Sequence, residues 1–152
     1  MDTKAQSCVR HLLETVPLIM RAIRAHAANS RGNLSLPQFR TLTHLRHTQG
    51  VSLSSLAKHH GLSLPAASRL IQRLVKRGLV VREEVSENRR QICLSLTDAG
   101  LTELERVRDI IRKNLAADLH DVPDEKLDEI CRAAETLQKA FENARKQRDA
   151  QK

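Results

Sequence analysis

Residues 52–96 contain two short helix patterns with a glycine between them, followed by two strand patterns. The first helix pattern begins with Ser52 as its cap and ends at Gly61, and the second ends at Gly78. Two short β-branched and apolar runs then enclose the sequence VSENRR; they are LVVREE (79–84) and QICLSL (91–96). This order of helix, glycine turn, helix and hairpin predicts a helix-turn-helix motif followed by a small β-hairpin.

Each of the four prolines lies two residues after a side chain that can cap a helix. The four sequences are Thr15-Val16-Pro17, Ser35-Leu36-Pro37, Ser63-Leu64-Pro65 and Asp121-Val122-Pro123. Proline is tolerated in the first turn, where the amides have no helical partner, so each sequence predicts a helix start. Gln38 completes a capping-box pattern with Ser35. Pro17 also lies within an apolar helical pattern over residues 3–28, so either one helix kinks there or a second begins at Thr15.

Length and composition predict one mostly helical domain over residues 1–152, with 40% hydrophobic residues and only five glycines. No apolar run approaches the roughly 18 residues of a spanning helix. The N-terminal sequence also lacks an uninterrupted signal-peptide core. Three cysteines at wide spacing argue against a disulfide framework and fit a reducing compartment. We therefore predict a cytoplasmic protein without a membrane partner.

The positive charge is confined to one part of the chain. Residues 31–97 hold 11 Lys or Arg and three acids, which accounts for the whole net charge of +8. A basic module in a neutral frame is typical of nucleic-acid binders, in which cations replace the counterions of phosphates. Charge alone leaves a second interpretation open, namely a solvated basic face that aids solubility.

The second helix of the motif divides into an apolar face and a polar face. At about 100° per residue, Ala67, Leu70, Ile71 and Leu74 point inward, with Leu64 and Val75 at the margin. The candidate DNA contacts on this helix are Ser63, Pro65, Ala66, Ser68, Arg69, Gln72, Arg73 and Lys76. Arginine can bind guanine and glutamine can bind adenine in the major groove. An ordinary amphipathic surface helix shows the same division, so the helix alone leaves both interpretations open.

The hairpin after this helix has two arginines, Arg89 and Arg90, at its predicted tip. A basic loop in this position can enter the neighbouring minor groove, as the wing of a winged helix does. A solubilising turn would have the same composition. The position directly after a helix-turn-helix favours the wing.

The run from LSLPQFRTLTHL through SLAKHHGLSLPAASRLIQRLVKRGLVVREEVSENRRQICLSLTDAG resembles the MarR (multiple antibiotic resistance regulator) family of winged-helix transcription factors. The resemblance in motif covers roughly residues 34–110. It implies that Ser68 and Arg69 contact phosphate and base, and that Arg90 enters the minor groove. Asn88 stands where the family usually has an aspartate that braces the wing arginine, and Val85-Ser86 replaces the usual Asp-Pro.

Apolar stripes in the flanking segments predict a twofold homodimer. Residues 3–28 and 98–145 carry these stripes, and a chain of this size cannot bury them all against its basic lobe at 34–97. The predicted fold is therefore mostly α with a small β-hairpin wing: a winged helix-turn-helix with N- and C-terminal dimerisation helices. Thr97 is predicted to cap the helix that follows the hairpin, and the apolar stripe of that helix is predicted to contain Leu101, Leu104, Arg108, Ile111 and Leu115.

The sequence predicts no enzyme and no cofactor. Seven histidines are present, but no HExxH, CxxC or glycine-rich phosphate loop occurs. A zinc site at His44 and His47 would need further ligands that the sequence does not supply. The predicted function is a DNA-binding transcriptional regulator, a repressor that binds a pseudo-palindromic site in double-stranded DNA.

The signal that controls such a regulator stays open at this point. The family resemblance implies release by a small organic anion, often phenolic, and candidate cations for it are Arg21, Arg24 and Arg46. Oxidation of Cys8 or Cys131 is a competing trigger, although buried inert thiols are the default for cysteine. The rival from another class is a helical adaptor whose basic lobe docks an acidic protein.

Overall fold

The computed structural model describes residues 3–29, 34–84 and 92–151. Within these ranges the chain forms a mostly helical structure with a small antiparallel sheet, which confirms the predicted fold class. The elements are α1 (Lys4–Ala28), α2 (Leu36–His47), β1 (Val51–Ser52), α3 (Leu53–His60), α4 (Leu64–Lys76), β2 (Val80–Glu84), β3 (Ile92–Leu96), α5 (Asp98–Asp118) and α6 (Asp124–Ala150). None of the described helices is long and apolar enough to cross a membrane.

The chain divides into two compact units. Unit Met1–Leu115 contains α1 to α4, the sheet and most of α5, whereas unit Ala116–Lys152 contains α6. In the second unit, α6 begins with Asp124 and Glu125, whose carboxylates favour the positive end of the helix dipole. Of the side chains described in α6, none is buried, and its apolar residues include the exposed Ile130 and Phe141.

Pro17 neither starts a second helix nor ends the first, because α1 runs unbroken through it. The helix instead begins at a capping box that the sequence analysis missed: the Gln6 amide donates to Thr3 Oγ1 at 3.2 Å, and Gln6 Oε1 accepts from the Thr3 amide at 2.6 Å. The prediction of a helix start at Thr15 is wrong. A proline removes one helical hydrogen bond, and the cap at Thr3 and the remaining backbone bonds of α1 keep the helix continuous through it.

The predicted helix starts at Ser35, Ser52 and Ser63 are confirmed, since each hydroxyl accepts a hydrogen bond from an amide in the following turn. The start predicted at Asp121 is wrong. The Asp121 carboxylate contacts His120 Nδ1 at 2.9 Å, and α6 begins three residues later with Pro123 at the cap. The Asp121 carboxylate therefore does not cap α6.

The sheet has three strands in the order β1-β3-β2, all antiparallel. The two hairpin strands were predicted, whereas β1 was not. Val51 pairs with Leu94 in the register of β1 with β3, and both side chains are buried. The sheet thereby attaches the segment before the helix-turn-helix to the base of the hairpin.

One hydrophobic core holds the helix-turn-helix, the sheet and α5 together. Its fully enclosed members include Leu42, Leu56, Ile71, Leu74 and Leu104. The predicted stripe of α5 needs correction at two positions: Leu101 is 42% exposed, and Val107 takes the buried position that the pattern assigned to Arg108. Arg108 contacts Glu105 instead, at 3.6 Å.

Candidate nucleic-acid interface

The turn between α3 and α4 is short and has a glycine at one end and a helix cap at the other. Gly61 ends α3 in the left-handed conformation, with φ of 64°, which glycine adopts without steric cost. Two residues later, Ser63 Oγ accepts from the Ala66 amide at 3.4 Å and begins α4. The reversal is therefore encoded by one glycine and one cap.

Helix α4 has one completely buried face and one exposed face. Ala67, Ile71 and Leu74 are each 0% exposed, so the helix is held tightly on the lobe. The exposed predicted contacts are Ser63, Pro65, Arg69, Gln72, Arg73 and Lys76, and the half-buried ones are Ala66 and Ser68. The structure therefore brings the predicted residues of this helix onto one accessible surface. Arg89 and Arg90 lie outside the described residues.

The cations on α4 are not neutralised by the part of the chain that the structure describes. The side chains of Arg69, Arg73 and Lys76 form no ion pair with residues 3–29, 34–84 or 92–151. Three exposed cations within eight residues of one helix create a positive surface that can bind an anionic polymer.

The C-terminal end of α4 is tied to α5 by a threonine. Thr97 Oγ1 donates to the Gly78 carbonyl at 2.6 Å and accepts from the Gly100 amide at 2.9 Å. The Thr97 amide also donates to the Leu79 carbonyl at 3.2 Å. Sequence analysis identified Thr97 only as a helix cap. The bond to Gly78 means that it also fixes the end of α4 relative to α5.

An acidic side chain on α5 also lies close to the end of α4. Glu103 lies 3.9 Å from Arg77, the residue after α4, and accepts two hydrogen bonds from Arg106 at 2.8 and 2.9 Å. The hydrogen bonds from Arg106 lower the pKa of Glu103, partial burial opposes them, and the charges of Arg106 and Arg77 add to the lowering. Glu103 therefore stays anionic at neutral pH and attracts Arg77, although a contact this long and this exposed contributes little.

Three histidines meet between α2 and α3. The rings of His44 and His59 stack with centroids 3.9 Å apart, and His60 meets both rings edge-on at 5.8 and 5.1 Å. No group of side chains able to hold a metal ion is found among the described residues, and His47 is not part of this cluster. In this arrangement the ring faces of His44 and His59 contact each other.

The pKa of His60 is lowered to about 4, first because burial disfavours the imidazolium and then because Arg40, His59 and His44 repel it. Since the unfolded state binds this proton at higher pH, stability should be complete above about pH 6.5 and should fall as the pH drops toward 4. After allowance for solvent screening, we expect a loss of about 1–2 kcal/mol from this group.

The measurement is the urea midpoint of unfolding for wild type and His60→Gln at pH 7 and pH 4.5. Carboxylates also titrate in this range, so the comparison between the two proteins isolates the imidazole. The variant should lose less stability than wild type on acidification. An equal loss in both proteins would show that His60 is protonated as readily in the folded chain as in the unfolded chain.

Comparison with known proteins agrees with this arrangement. Residues 34–92 match the model of the MarR family. The HTH-type transcriptional regulator YfiV of Bacillus subtilis (strain 168) is 27% identical over 115 residues, which are 76% of this chain and 72% of that protein. The crystal structure of RV1404 from Mycobacterium tuberculosis superposes with a TM-score of 0.78 at 24% identity, over 93% of this chain and 96% of that chain. Apo MarR from E. coli gives 0.73 at 17% identity, over 90% and 98%.

The fold and the exposed cationic helix define a winged helix-turn-helix protein of the kind that regulates transcription by binding DNA. This class comprises DNA-binding factors rather than enzymes. Residues 34–92 match the MarR family, which confirms the resemblance that the sequence motifs predicted.

Proposed function

We propose that this protein is a homodimeric repressor that binds a pseudo-palindromic operator with α4 in the major groove. The observation that carries the proposal is the division of α4 into a face that buries Ala67, Ile71 and Leu74 and a face of exposed cations that form no ion pair with the described residues. The buried face holds the helix rigidly, and the exposed face offers groups that bind phosphates and base edges. Its site of action would be the cytoplasm, on the DNA of the nucleoid.

Each predicted contact has a role that matches its position. Arg69 and Gln72 would read base edges, since both are exposed in the middle of α4 and can each form paired hydrogen bonds to a base. Arg73 and Lys76, nearer the C-terminal end, would hold phosphates. The hydroxyls of Ser63 and Ser68 would complete the phosphate contacts. Pro65 and Ala66, which are small or apolar, would allow α4 to approach the DNA closely. Arg89 and Arg90 of the predicted wing would enter the minor groove.

The proposal is tested by gel shift on the DNA upstream of the protein's own gene, with unlabelled specific and random competitors. The specific competitor should displace a repressor at a far lower concentration than random DNA does. Equal displacement by both would favour the alternative, an adaptor whose basic lobe docks an acidic protein. Repression would then be measured as increased reporter expression when the protein is deleted.

Replacing Arg69 with alanine should cost about 1–3 kcal/mol of operator binding and relax selectivity at one base position. Lys76→Ala is the matched comparison on the same helix. It should weaken binding to operator and random DNA alike and reduce the salt slope by about one. Both affinities are measured by fluorescence anisotropy at several salt concentrations. An Arg69→Ala protein with the wild-type ratio of operator to random binding would remove this residue from base reading.

The dimer is supported by one face of α1. Ile23 and Ala27, near its C-terminal end, pack on the core, whereas Val9, Leu13 and Val16 continue the same face and are 49%, 72% and 47% exposed. Exposed apolar surface of this kind usually marks an interface. A second copy is the proposed cover, because the twofold symmetry of a pseudo-palindrome requires two recognition helices.

Release by a small organic anion is the proposed regulation. A cavity of about 480 Å³ lies between α1 and α2, with Arg24 and Arg40 beside the apolar Ala28, Leu34 and Pro37. This mixture suits an aromatic acid, whose ring and carboxylate need different surroundings. Arg46 is a weaker candidate than predicted because it pairs with Glu105, and Arg21 does not line this cavity.

The competing trigger is thiol oxidation, since Cys8 and Cys131 are both exposed rather than buried. Titrating salicylate-like acids and, separately, peroxide against the protein–DNA complex distinguishes the two. Release by an acid with the Cys8→Ser/Cys131→Ser double variant would support the ligand. Release by peroxide alone, and only with the cysteines present, would support oxidation.

A further inference from the structure

The first residue of the recognition helix is a leucine that the rest of the lobe does not cover. Leu64 is 53% exposed, although its position on the helical wheel is at the margin of the buried face. Ala67 and Ile71, further along that face, are 0% exposed. The difference arises because Leu64 begins α4. The side chain of a helical residue lies over the preceding turn, and here there is no preceding turn.

The surroundings of Leu64 are apolar and uncharged. Pro65 beside it is exposed and Ala66 is half-buried, so the N-terminal end of α4 presents three apolar side chains in succession. No lysine or arginine occurs between Lys58 and Arg69. Contacts made by this end of the helix are therefore apolar or involve the hydroxyls of the neighbouring serines.

The same end of a recognition helix is the part that reaches the base edges. In the major groove, the C5 methyl of thymine is the apolar group that a base pair presents, and alkyl side chains recognise it by contact. Ser68 and Gln72 follow Leu64 at i+4 and i+8, so Leu64 lies in one row along α4 with Gln72, a candidate base-reading residue. An apolar side chain at this position packs favourably against a methyl group and unfavourably against a phosphate.

We propose that Leu64, supported by Pro65, reads the C5 methyl groups of thymines in each operator half-site. This inference rests on the proposed function, because it requires α4 to lie in the major groove. Leu64 then determines specificity through burial of its side chain against the methyl, whereas Arg69 and Gln72 do so through hydrogen bonds. Leu64 was not among the contacts predicted from the sequence.

The test uses the full-length protein and a duplex selected by it from random DNA. In a series of otherwise identical duplexes, each thymine is replaced in turn by deoxyuridine, which keeps the base pair and lacks only the methyl. Wild type should lose about three- to tenfold in affinity at one or two positions per half-site, the range expected for one buried methyl group and its packing. At the other positions its affinity should be unchanged.

The decisive variant is Leu64→Ala, which should bind the thymine and deoxyuridine duplexes equally at those positions. Val75→Ala is the matched control: it also shortens a partly exposed apolar residue of α4, 37% exposed and near the opposite end, and it should keep the wild-type dependence on the methyl. Thermal unfolding by circular dichroism verifies that both variants are folded.

The other outcomes distinguish a failure of this inference from a failure of the proposed function. If every deoxyuridine duplex binds wild type as tightly as its thymine parent, Leu64 reads no methyl, while selective binding to the parent would still support the repressor. If Leu64→Ala retains the full methyl dependence, another residue reads the thymine and the assignment is overturned. If selection yields no duplex preferred over random DNA, the proposed function itself fails.

Discussion

Replacing Gly100 with alanine is expected to destabilise the protein by about 2–4 kcal/mol, a large effect for the addition of one methyl group. Gly100 is buried in the first turn of α5. A Cβ at this position would overlap the carbonyl oxygen of Leu79 and lie 2.8 Å from Leu96 Cδ2. The obstacle is backbone rather than the end of a flexible side chain. Either α5 or the turn after α4 must therefore move.

The measurement is the urea midpoint of unfolding, with Gly50→Ala as the control. Gly50 also resists substitution, because its φ of 67° is unfavourable for alanine, but nothing lies within 4 Å of an added Cβ. The control should therefore lose only about 1–2 kcal/mol, the cost of the left-handed conformation. Equal losses in both variants would mean that α5 does not approach Leu79 as closely as the structure shows.

This substitution should also weaken DNA binding at temperatures at which the protein remains folded. The Leu79 carbonyl that would be displaced accepts from the Thr97 amide, and Thr97 in turn holds the Gly78 carbonyl at the end of α4. Movement at Gly100 is thus transmitted to the recognition helix through two hydrogen bonds. A base-reading helix tolerates little displacement, because its contacts are directional.

Helix starts were predictable from sequence where one local interaction decides them. The hydroxyls of Ser35 and Ser63 each accept a hydrogen bond from an amide of the following turn, and the proline two residues later has no amide that needs a partner. Thr15 has the same local sequence but lies within a longer helix that begins at Thr3. The Asp121 carboxylate is drawn to its neighbour His120. In both failures, a competing interaction outside the motif decided the outcome.

Strand β1 could not be predicted from local sequence patterns. Its two residues are too few for any alternation, and the strand exists because Val51 and Ser52 pair with Leu94 and Cys93 some forty residues later. The candidate binding surface was easier to predict, since the angular positions of Arg69 and Gln72 on α4 follow from helical periodicity alone. Two features lay beyond the sequence patterns: the exposure of Leu64, because helical periodicity begins at this residue, and the bond from Thr97 to Gly78, because the two residues are distant in sequence.

Placing a carboxylate in the exposed apolar face of α1 should abolish dimerisation and, with it, high-affinity operator binding. Leu13→Glu is the sharpest variant, because Leu13 is 72% exposed and therefore contributes little to the folded lobe. Burying an unpaired carboxylate in an interface costs several kcal/mol. We expect a monomer by analytical ultracentrifugation and a loss of about 10²–10⁴-fold in operator affinity, the advantage gained by linking two half-site contacts.

The control on the same helix is Leu18→Glu. Leu18 is 54% exposed but lies on the opposite side of α1 from Val9, Leu13 and Val16, so the same charge enters a different surface. This variant should remain dimeric and bind the operator within a fewfold of wild type. Both proteins should keep the thermal stability of the lobe, since neither side chain belongs to the core.

The affinity for a single half-site distinguishes a lost dimer from a damaged helix-turn-helix. Leu13→Glu should bind a duplex with one half-site about as well as one wild-type protomer does, because α4 keeps its buried face and its cations. It should lose only the gain that wild type obtains from the second half-site. A Leu13→Glu protein that remains a dimer and binds the full operator tightly would place the interface elsewhere on the chain. The exposed stripe of α1 would then need a different partner.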